Sequence, residues 1–483
     1  MGDSTTSATT SSATPPAVAS IDSEQLHQTL NAQSGAEKRA LSYSQTIHKL
    51  FCQTLQSKLP GDRILADYFR AHKKHGSKDR RVIRETLFGL FRWHGWLKLI
   101  PLKDDSQQAI TEQWFAQLAL TATLEAHSWQ DIVSAWRGFA GLGEPAINAQ
   151  ADSGSGSGSN SGSDSGALEA KQDLLTAAFP GQAFPLTALA PDWFWAHFDQ
   201  DSDKQKRLVE SLSTRPPIWG RLQGISLAKA QAKLIEQGIA ASGSDYFDDA
   251  INLGHKSINL NGVALYSQGK LEIQDLGSQV IGNICAPRAD ESWWDACSGA
   301  GGKSLQLRSL MLQQDKGAKG SVVASDIRRK PLEELSKRAK RAGFGQISTQ
   351  PWQSDALPVA AGHFDGVLVD APCSCTGTWR RNPDMRWLDD ASAITDKANL
   401  QLDILCRACE AVRPGGVLVY ATCSISPVEN QQVIEAFLAK RPDFSLQTLT
   451  HPFTGEATQM LTVLPYQADS DGMFVAKMVR QGE

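Results

Sequence analysis

Cysteine, long apolar runs and an excess of charge of either sign are what this sequence has little of. Eight cysteines among 483 residues are too few for a disulfide framework, so each thiol is expected to be either core filler or a reactive group. No apolar run approaches the roughly 18 residues of a membrane span, and the N-terminus lacks the basic start and apolar core of a secretion signal. We therefore expect a cytoplasmic protein with no membrane partner.

The formal net charge of -4 argues against indiscriminate binding of polyanions, but it conceals one basic stretch. Between Gly61 and Arg92 there are nine Lys or Arg residues and four Asp or Glu residues. Such a cluster is typical of a surface that contacts phosphates. A solvated helical face explains the same charges equally well.

The pattern along the chain predicts four segments. Residues 1–40 begin with a Ser/Thr/Ala/Pro-rich stretch and are expected to form a disordered tail. Residues 41–213 have helical periodicity, interrupted by a Gly/Ser insertion at 152–166 that cannot bury a core. Residues 214–272 predict a small α/β connector. In residues 273–483 strands alternate with helices, which predicts a doubly wound, Rossmann-like α/β domain.

A glycine-rich turn follows the first strand predicted in this α/β domain, over residues 293–296. Glycines at this turn let a ligand approach the backbone and face the amides of the following helix. The turn is not a P-loop, because its spacing to the lysine is too short. We assign cofactor binding to the residues of the turn: Cys297, Ser298, Gly299, Ala300, Gly301, Gly302 and Lys303.

Acidic residues follow the next strands. Asp326 ends the second predicted strand, where an acid accepts hydrogen bonds from ribose hydroxyls. Asp355, after the third, is predicted either to contact an adenine or to end a turn, and Asp370 ends the fourth. The turn and the acids indicate an adenosine-bearing cofactor, without distinguishing a dinucleotide from S-adenosylmethionine.

Two cysteines fifty residues apart indicate the chemistry. Cys373 and Cys423 each follow a predicted strand, and a parallel βαβ unit would bring both thiols to one sheet edge. A thiolate that adds to C6 of a pyrimidine makes C5 able to take a methyl group. Asp370 is expected to hold or protonate the N3/N4 edge of the ring, and Lys303 to orient that acid and lower the thiol pKa.

Zinc binding is the alternative for the cysteines. Cys373, Cys375, Cys406 and Cys409 have a suggestive spacing, but the last two fall in a helical pattern, where thiols three residues apart are usually core filler. We therefore predict no metal.

These segments resemble the Sun/Fmu-type family of RNA cytosine-C5 methyltransferases, in particular the bacterial 16S ribosomal RNA enzymes with an N-terminal helical domain. The resemblance runs from residue 273 to residue 476 and is carried by Asp370-Ala371-Pro372-Cys373-Ser374, Arg380-Arg381-Asn382-Pro383-Asp384, Pro414-Gly415-Gly416 and Tyr420-Ala421-Thr422-Cys423-Ser424. It implies S-adenosyl-L-methionine as cofactor, Cys423 as nucleophile and Cys373 as the residue that assists product release. It also implies that the helical domain resembles an RNA-binding bacterial antitermination factor.

The chain departs from the family pattern at two places. Ser298-Gly299-Ala300 replaces Ala-Ala-Pro in the turn, which predicts a more flexible loop, and Cys375 stands where the family has glycine. We expect a monomer that binds RNA, with ribosomal RNA as the first candidate, and that does not bind DNA. A transfer RNA substrate, or an RNA-binding assembly factor with weakened catalysis, are the alternatives.

Overall fold

A computed structural model describes residues 30–143, 165–198 and 201–482, and the chain divides into two compact units. One unit contains the N-terminal helices together with Glu169–Pro185, and the other contains Leu186–Glu483. Helical periodicity predicts a helical module that ends at residue 213, whereas residues 186–212 belong to the second unit. Most of the predicted tail and of the Gly/Ser insertion lies outside the described residues.

Six helices occur in the described part of the chain before residue 179: α1 (Gly35–Ser57), α2 (Gly61–Ala71), α3 (Ser77–Leu97), α4 (Gln107–Leu124), α5 (Gln130–Phe139) and α6 (Ser165–Ala178). Ser34 caps α1 in a capping box with Glu37, so helical order starts earlier than the predicted boundary at residue 41. The helical stripe on α3 is buried as its periodicity predicts, with Ile83 and Leu87 fully inaccessible. Each such side chain contributes roughly 1.5–3 kcal/mol on burial.

The basic stretch lies on α2, on α3 and in the loop between them. Seven of its nine cationic side chains are exposed: Arg63, Arg70, Lys73, Lys74, Lys78, Arg81 and Arg84. Arg92 is instead buried and forms an ion pair with Glu125 at 2.8 Å. It therefore holds α3 against the residue that follows α4 and is not part of the exposed surface.

The second unit begins with two short helices and a small sheet. After α7 (Asp192–Trp195) and α8 (Ser202–Leu212) come the elements β1 (Trp219–Leu222), α9 (Leu227–Glu236), β2 (Ser242–Gly243), β3 (Ala250–Asn252), α10 (Ala264–Ser267) and β4 (Leu271–Ile273). The strands form an antiparallel sheet in the order β2-β3-β1-β4. This is the connector predicted from the change of pattern after residue 214.

The larger sheet carries the site. Its strands are β5 (Ser292–Asp295), β6 (Ser321–Ala324), β7 (Ile347–Thr349), β8 (Phe364–Asp370), β9 (Val412–Thr422), β10 (Phe444–Leu446), β13 (Met460–Val463) and β14 (Met473–Arg480), with a separate pair, β11 (Leu449–Thr450) and β12 (Ala457–Thr458). The order is β10-β14-β9-β8-β5-β6-β7, and β13 also pairs with β14. Strands β5 to β9 are parallel, whereas β14 runs antiparallel to β9.

Helices cover both faces of this sheet: α11 (Leu276–Cys285), α12 (Gly302–Gln314), α13 (Arg329–Ala342), α14 (Ala391–Ala408) and α15 (Gln431–Lys440). Trp293 and Trp294 on β5 are fully buried in two different core clusters, because successive strand residues point to opposite faces. The doubly wound fold is confirmed. Its strand order reverses between β5 and β8, and such sheets bind ligands at the carboxyl ends of the strands at that point.

Several predicted element boundaries differ from the observed ones, and the end of α14 is one of them. The helix expected over residues 391–412 ends at Ala408, and Val412 already begins β9. Pro414 explains the difference, because a proline disfavours helical backbone in the residue before it and cannot donate within a helix. Within the described ranges, no helix combines the length and apolar content that crossing a membrane requires.

Candidate active site

The two cysteines meet at the carboxyl edge of the sheet. Strands β8 and β9 are parallel neighbours, with Asp370 opposite Ala421, so the segments that follow them lie side by side. The Sγ atoms of Cys373 and Cys423 are 3.3 Å apart. The prediction that a βαβ unit brings both thiols to one edge is confirmed.

The thiols differ in their acidity. Hydrogen bonds from the Cys373 and Cys375 thiols, with the positive charge of Lys303 in support, hold the pKa of Cys423 well below the ordinary thiol value. Hydrogen bonds with Cys375 and Cys423, together with burial, raise the pKa of Cys373. Since the thiolate is the reactive form of cysteine, the directions of these two pKa shifts favour Cys423 over Cys373 as the nucleophile.

A lysine and an aspartate lie beside the thiols. Lys303, in the first turn of α12, donates from Nζ to Oδ2 of Asp370 at 2.6 Å. Burial raises the pKa of Asp370, although Lys303 opposes this shift. The carboxyl group of Asp370 can form a hydrogen bond with a ligand, and it also holds the ammonium group of Lys303 in place.

Glu429 ties the two cysteine segments together, and sequence reasoning missed it. Its carboxyl group is fully buried and accepts hydrogen bonds from the backbone NH of Ser374 at 2.8 Å and from Ser424 Oγ at 2.6 Å. Ser374 Oγ and Gln401 Nε2 also donate to it. Because Ser374 and Ser424 directly follow the two cysteines, one side chain fixes both thiol-bearing segments. The only signal in the sequence is a glutamate six residues after Cys423.

The glycine turn has the shape expected for a cofactor loop. Gly299 (φ 53°) and Gly301 (φ 83°) adopt the left-handed conformation that favours glycine. A Cβ on Gly301 would lie 2.3 Å from Leu335 Cγ, whereas one on Gly299 would meet nothing within 4 Å. The absence of a side chain at Gly301 therefore lets α13 pack against the turn. Its absence at Gly299 leaves the backbone there accessible. Ser298 donates its NH to Ser325 at 2.8 Å, so the turn is anchored without the proline.

The turn residues surround the start of α12. Cys297 and Ser298 are the second and third residues after the end of β5, and Ala300 lies between the two glycines of positive φ. Gly302 and Lys303 are the first two residues of the helix. The first amides of a helix lack partners within it and carry a partial positive charge. All seven residues assigned from the sequence thus lie in one turn.

Asp326 and Asp355 differ in their placement. Asp326 follows β6 and accepts the NH of Gly299 at 3.1 Å, so it borders the turn. Burial raises its pKa, but hydrogen bonds from Arg328 and Gly299 outweigh this and leave the pKa below the ordinary value. Asp355 is fully exposed and lies 3.5 Å from Arg407. Its assignment to the cofactor stays a prediction.

Arg338 supports the turn from α13, and a basic helix face is the one sequence pattern that marks it. Its guanidinium donates to the carbonyl of Ala300 at 2.6 Å and pairs with the buried carboxylate of Glu272 on β4 at 2.7 Å. Arg341 pairs with the same carboxylate at 2.8 Å. This part of the basic face of α13 is therefore an internal ion-pair cluster.

The Arg380-Arg381 segment is anchored from two sides. Trp379 is buried against Phe194 and Ile425, so it supports the loop and does not offer a face for a base. Arg381 forms an ion pair with Asp471, whose backbone NH donates to Asp275 at 2.9 Å. The two ends of the stretch that carries the family resemblance thus meet beside the cysteine loop.

Solved structures share this fold. A crystal structure of PH0851 matches with a TM-score of 0.67 at 22% identity, over 93% of this chain and 99% of that one. A structure of NSun6 from Pyrococcus horikoshii with SFG matches with a TM-score of 0.53 at 17% identity, over 61% and 99% of the two chains. These likenesses show that the chain has the Rossmann-like fold of S-adenosylmethionine-dependent methyltransferases.

A family model described as 16S rRNA methyltransferase RsmB/F matches residues 283–479. Ribosomal RNA small subunit methyltransferase B of Cronobacter sakazakii is 28% identical over 84% of this chain and 92% of its own length. The protein of the same name from Enterobacter sp. is 30% identical over 61% of this chain and 67% of its own length. The chain belongs to the RsmB/F methyltransferase family.

Proposed function

We propose that this protein methylates C5 of a cytosine in RNA, 16S ribosomal RNA first, through a covalent intermediate between Cys423 and C6 of the base. The observation that carries the proposal is the 3.3 Å approach of Cys423 to Cys373 beside the Lys303–Asp370 pair. The names of the relatives and the exposed cations on α2 and α3 support an RNA substrate, because clustered Lys and Arg neutralise phosphates.

Each residue has a defined task in this scheme. The Cys423 thiolate adds to C6 while Asp370, in its protonated form, donates its proton to N3, so the negative charge of the addition does not stay on the ring. The proton returns to Asp370 when Cys423 leaves. S-adenosylmethionine supplies the electrophilic methyl group. Loss of the C5 proton to a base then restores the C5–C6 double bond and expels Cys423 as a thiolate. Cys373 assists that step, since its thiol can donate to the departing sulfur.

The cytosine must leave its stack to reach these groups, as in other enzymes that act on a base. The residues of the glycine turn, with Asp326 beside them, are proposed to hold the cofactor. Arg328 pairs with Asp326 at 3.0 Å. Its side chain is largely exposed, and such surface ion pairs are weak, so ribose hydroxyls can take its place.

Trapping with 5-fluorocytosine RNA tests the proposal, because fluorine at C5 blocks the release step. Wild-type protein with cofactor should form a covalent RNA adduct, and Cys423→Ala should form none. Cys373→Ala should accumulate the adduct even on unmodified RNA. Bound RNA without any cofactor-dependent adduct would refute the covalent scheme. Bisulfite sequencing of cellular RNA with and without the gene then identifies the substrate, and a site lost only in transfer RNA would overturn the ribosomal assignment.

A further inference from the structure

Cys375 adds a third sulfur to the pair already described. The Sγ atoms of Cys373, Cys375 and Cys423 all lie within 4.8 Å of one another. Cys373 is buried and the other two are half-buried. Cys406 and Cys409, the other candidates for a zinc site in the sequence, are not in this group. The scheme for methyl transfer uses two of the three thiols and leaves Cys375 without a task.

The spacing of the sulfurs suits a thiophilic cation. A tetrahedral Zn²⁺ with Zn–S bonds of about 2.3 Å holds its sulfur ligands about 3.8 Å apart. The Sγ atoms of Cys373 and Cys423 are 3.3 Å apart and no pair of the three is separated by more than 4.8 Å, a range that includes this value. Three sulfurs at these separations are close enough to share one ion.

The backbone that carries the sulfurs is already fixed. Cys375 has a left-handed conformation with φ 58°, which is uncommon for a residue other than glycine. Its carbonyl accepts a hydrogen bond from Thr378 Oγ1 at 3.0 Å, while Glu429 holds the NH of Ser374 at 2.8 Å. A set of ligands held in this way loses little conformational freedom when an ion binds.

We propose that Cys373, Cys375 and Cys423 form a binding site for Zn²⁺ or Cd²⁺, and that the bound ion blocks methyl transfer by occupying the Cys423 sulfur. Cys373 and Cys375 release their protons to solvent and Cys423 binds as the thiolate. Each sulfur donates an electron pair to the ion, and water completes the tetrahedron. The metal site rests on the three sulfurs alone. The inhibition rests on the proposed function, in which Cys423 is the nucleophile.

Cadmium titration of the fully reduced protein tests the site without RNA or cofactor, through the ultraviolet thiolate-to-cadmium charge-transfer band. Wild type should bind one ion per chain. Cys375→Gly, which suits the positive φ, and Cys375→Ser should each weaken binding at least about 100-fold, because a soft ligand is lost. Cys406→Ala, which removes a thiol from α14, should bind like wild type.

Methyl transfer is then measured over a range of ZnCl₂ concentrations, each variant relative to its own metal-free rate. Zinc should inhibit wild type and Cys406→Ala at concentrations that leave Cys375→Gly active. Equal cadmium affinity in wild type and Cys375→Gly, or no charge-transfer band in wild type, would overturn the site. Cadmium binding that depends on Cys375 with zinc-insensitive methyl transfer would support the site and overturn the role of Cys423.

Discussion

Changing Glu429 to glutamine isolates the contact that holds the two cysteine segments together. The carboxyl group accepts four hydrogen bonds: two from Ser374, one from Ser424 and one from Gln401. Glutamine has nearly the same shape but offers one oxygen and an NH₂ group. It can satisfy the donors at one oxygen position, while its NH₂ group faces the two serine hydroxyls that donated to the other.

The expected effects follow from the strength and geometry of those bonds. Hydrogen bonds to a charged group contribute about 1.5–3 kcal/mol each, and the hydroxyls can partly reorient, so Glu429→Gln should lower the free energy of unfolding by about 2–3 kcal/mol. A shift of about 1 Å in the position of a reacting group costs roughly 100-fold in rate. We therefore expect kcat to fall roughly 100-fold, while KM for S-adenosylmethionine changes little because the glycine turn is untouched.

Urea unfolding, transfer of a labelled methyl group and the rate of adduct formation on 5-fluorocytosine RNA measure these quantities. The matched control is Glu435→Gln, the same change at an exposed position of α15, which should leave all three unaltered. If Glu429→Gln formed the adduct at the wild-type rate with unchanged stability, Glu429 would not be positioning the thiols.

Three further predictions concern the turn and the strands around it. Burial raises the pKa of Asp295 from 3.8 to about 7, so the folded state holds its proton more tightly and loses stability as pH rises from about 4 to 7. The free energy of unfolding of Asp295→Asn, measured with denaturant at pH 5 and pH 8, should rise by about 2–3 kcal/mol relative to that of wild type between the two pH values. An equal change with pH in the two proteins would contradict this. Arg338→Ala removes the donor to the Ala300 carbonyl, and steady-state kinetics should show a KM for S-adenosylmethionine raised roughly 10-fold at nearly constant kcat. Gly377→Ala places a Cβ 2.1 Å from the carbonyl oxygen of Gly472, and calorimetry should show a loss of about 1–3 kcal/mol or more.

Matched variants separate these effects from general damage. Lys337→Ala changes an exposed neighbour of Arg338 on α13 and should leave KM for the cofactor unaltered. Gly345→Ala adds a Cβ that meets nothing within 4 Å and should melt like wild type. An Arg338→Ala enzyme with normal KM would show that the turn holds its shape without the brace.

Local pattern predicted the main parallel strands of the α/β domain and the helices between them, but α11, β10 and β13 were missed. The apolar run at residues 364–370 predicts a strand that matches β8 residue for residue, because a buried parallel strand is a short apolar run with clear ends. The two-residue strands β2, β11 and β12 were not predicted, since pairs of residues carry no periodicity. The helix end at Ala408 was missed because the apolar pattern continues into β9.

The sequence by itself determined the order of strands and helices, the glycine turn and the presence of Cys373 and Cys423 at strand ends. These features are local in the chain. Because the carboxyl ends of parallel strands lie at one edge of a sheet, they predict a site at that edge. Only the tertiary structure decided that Glu429 joins both thiol segments, that Arg338 supports the turn and that Cys375 completes a group of three sulfurs. Those contacts join residues that are distant in the sequence, or they depend on the positive φ of Cys375. Neither can be predicted from periodicity or composition.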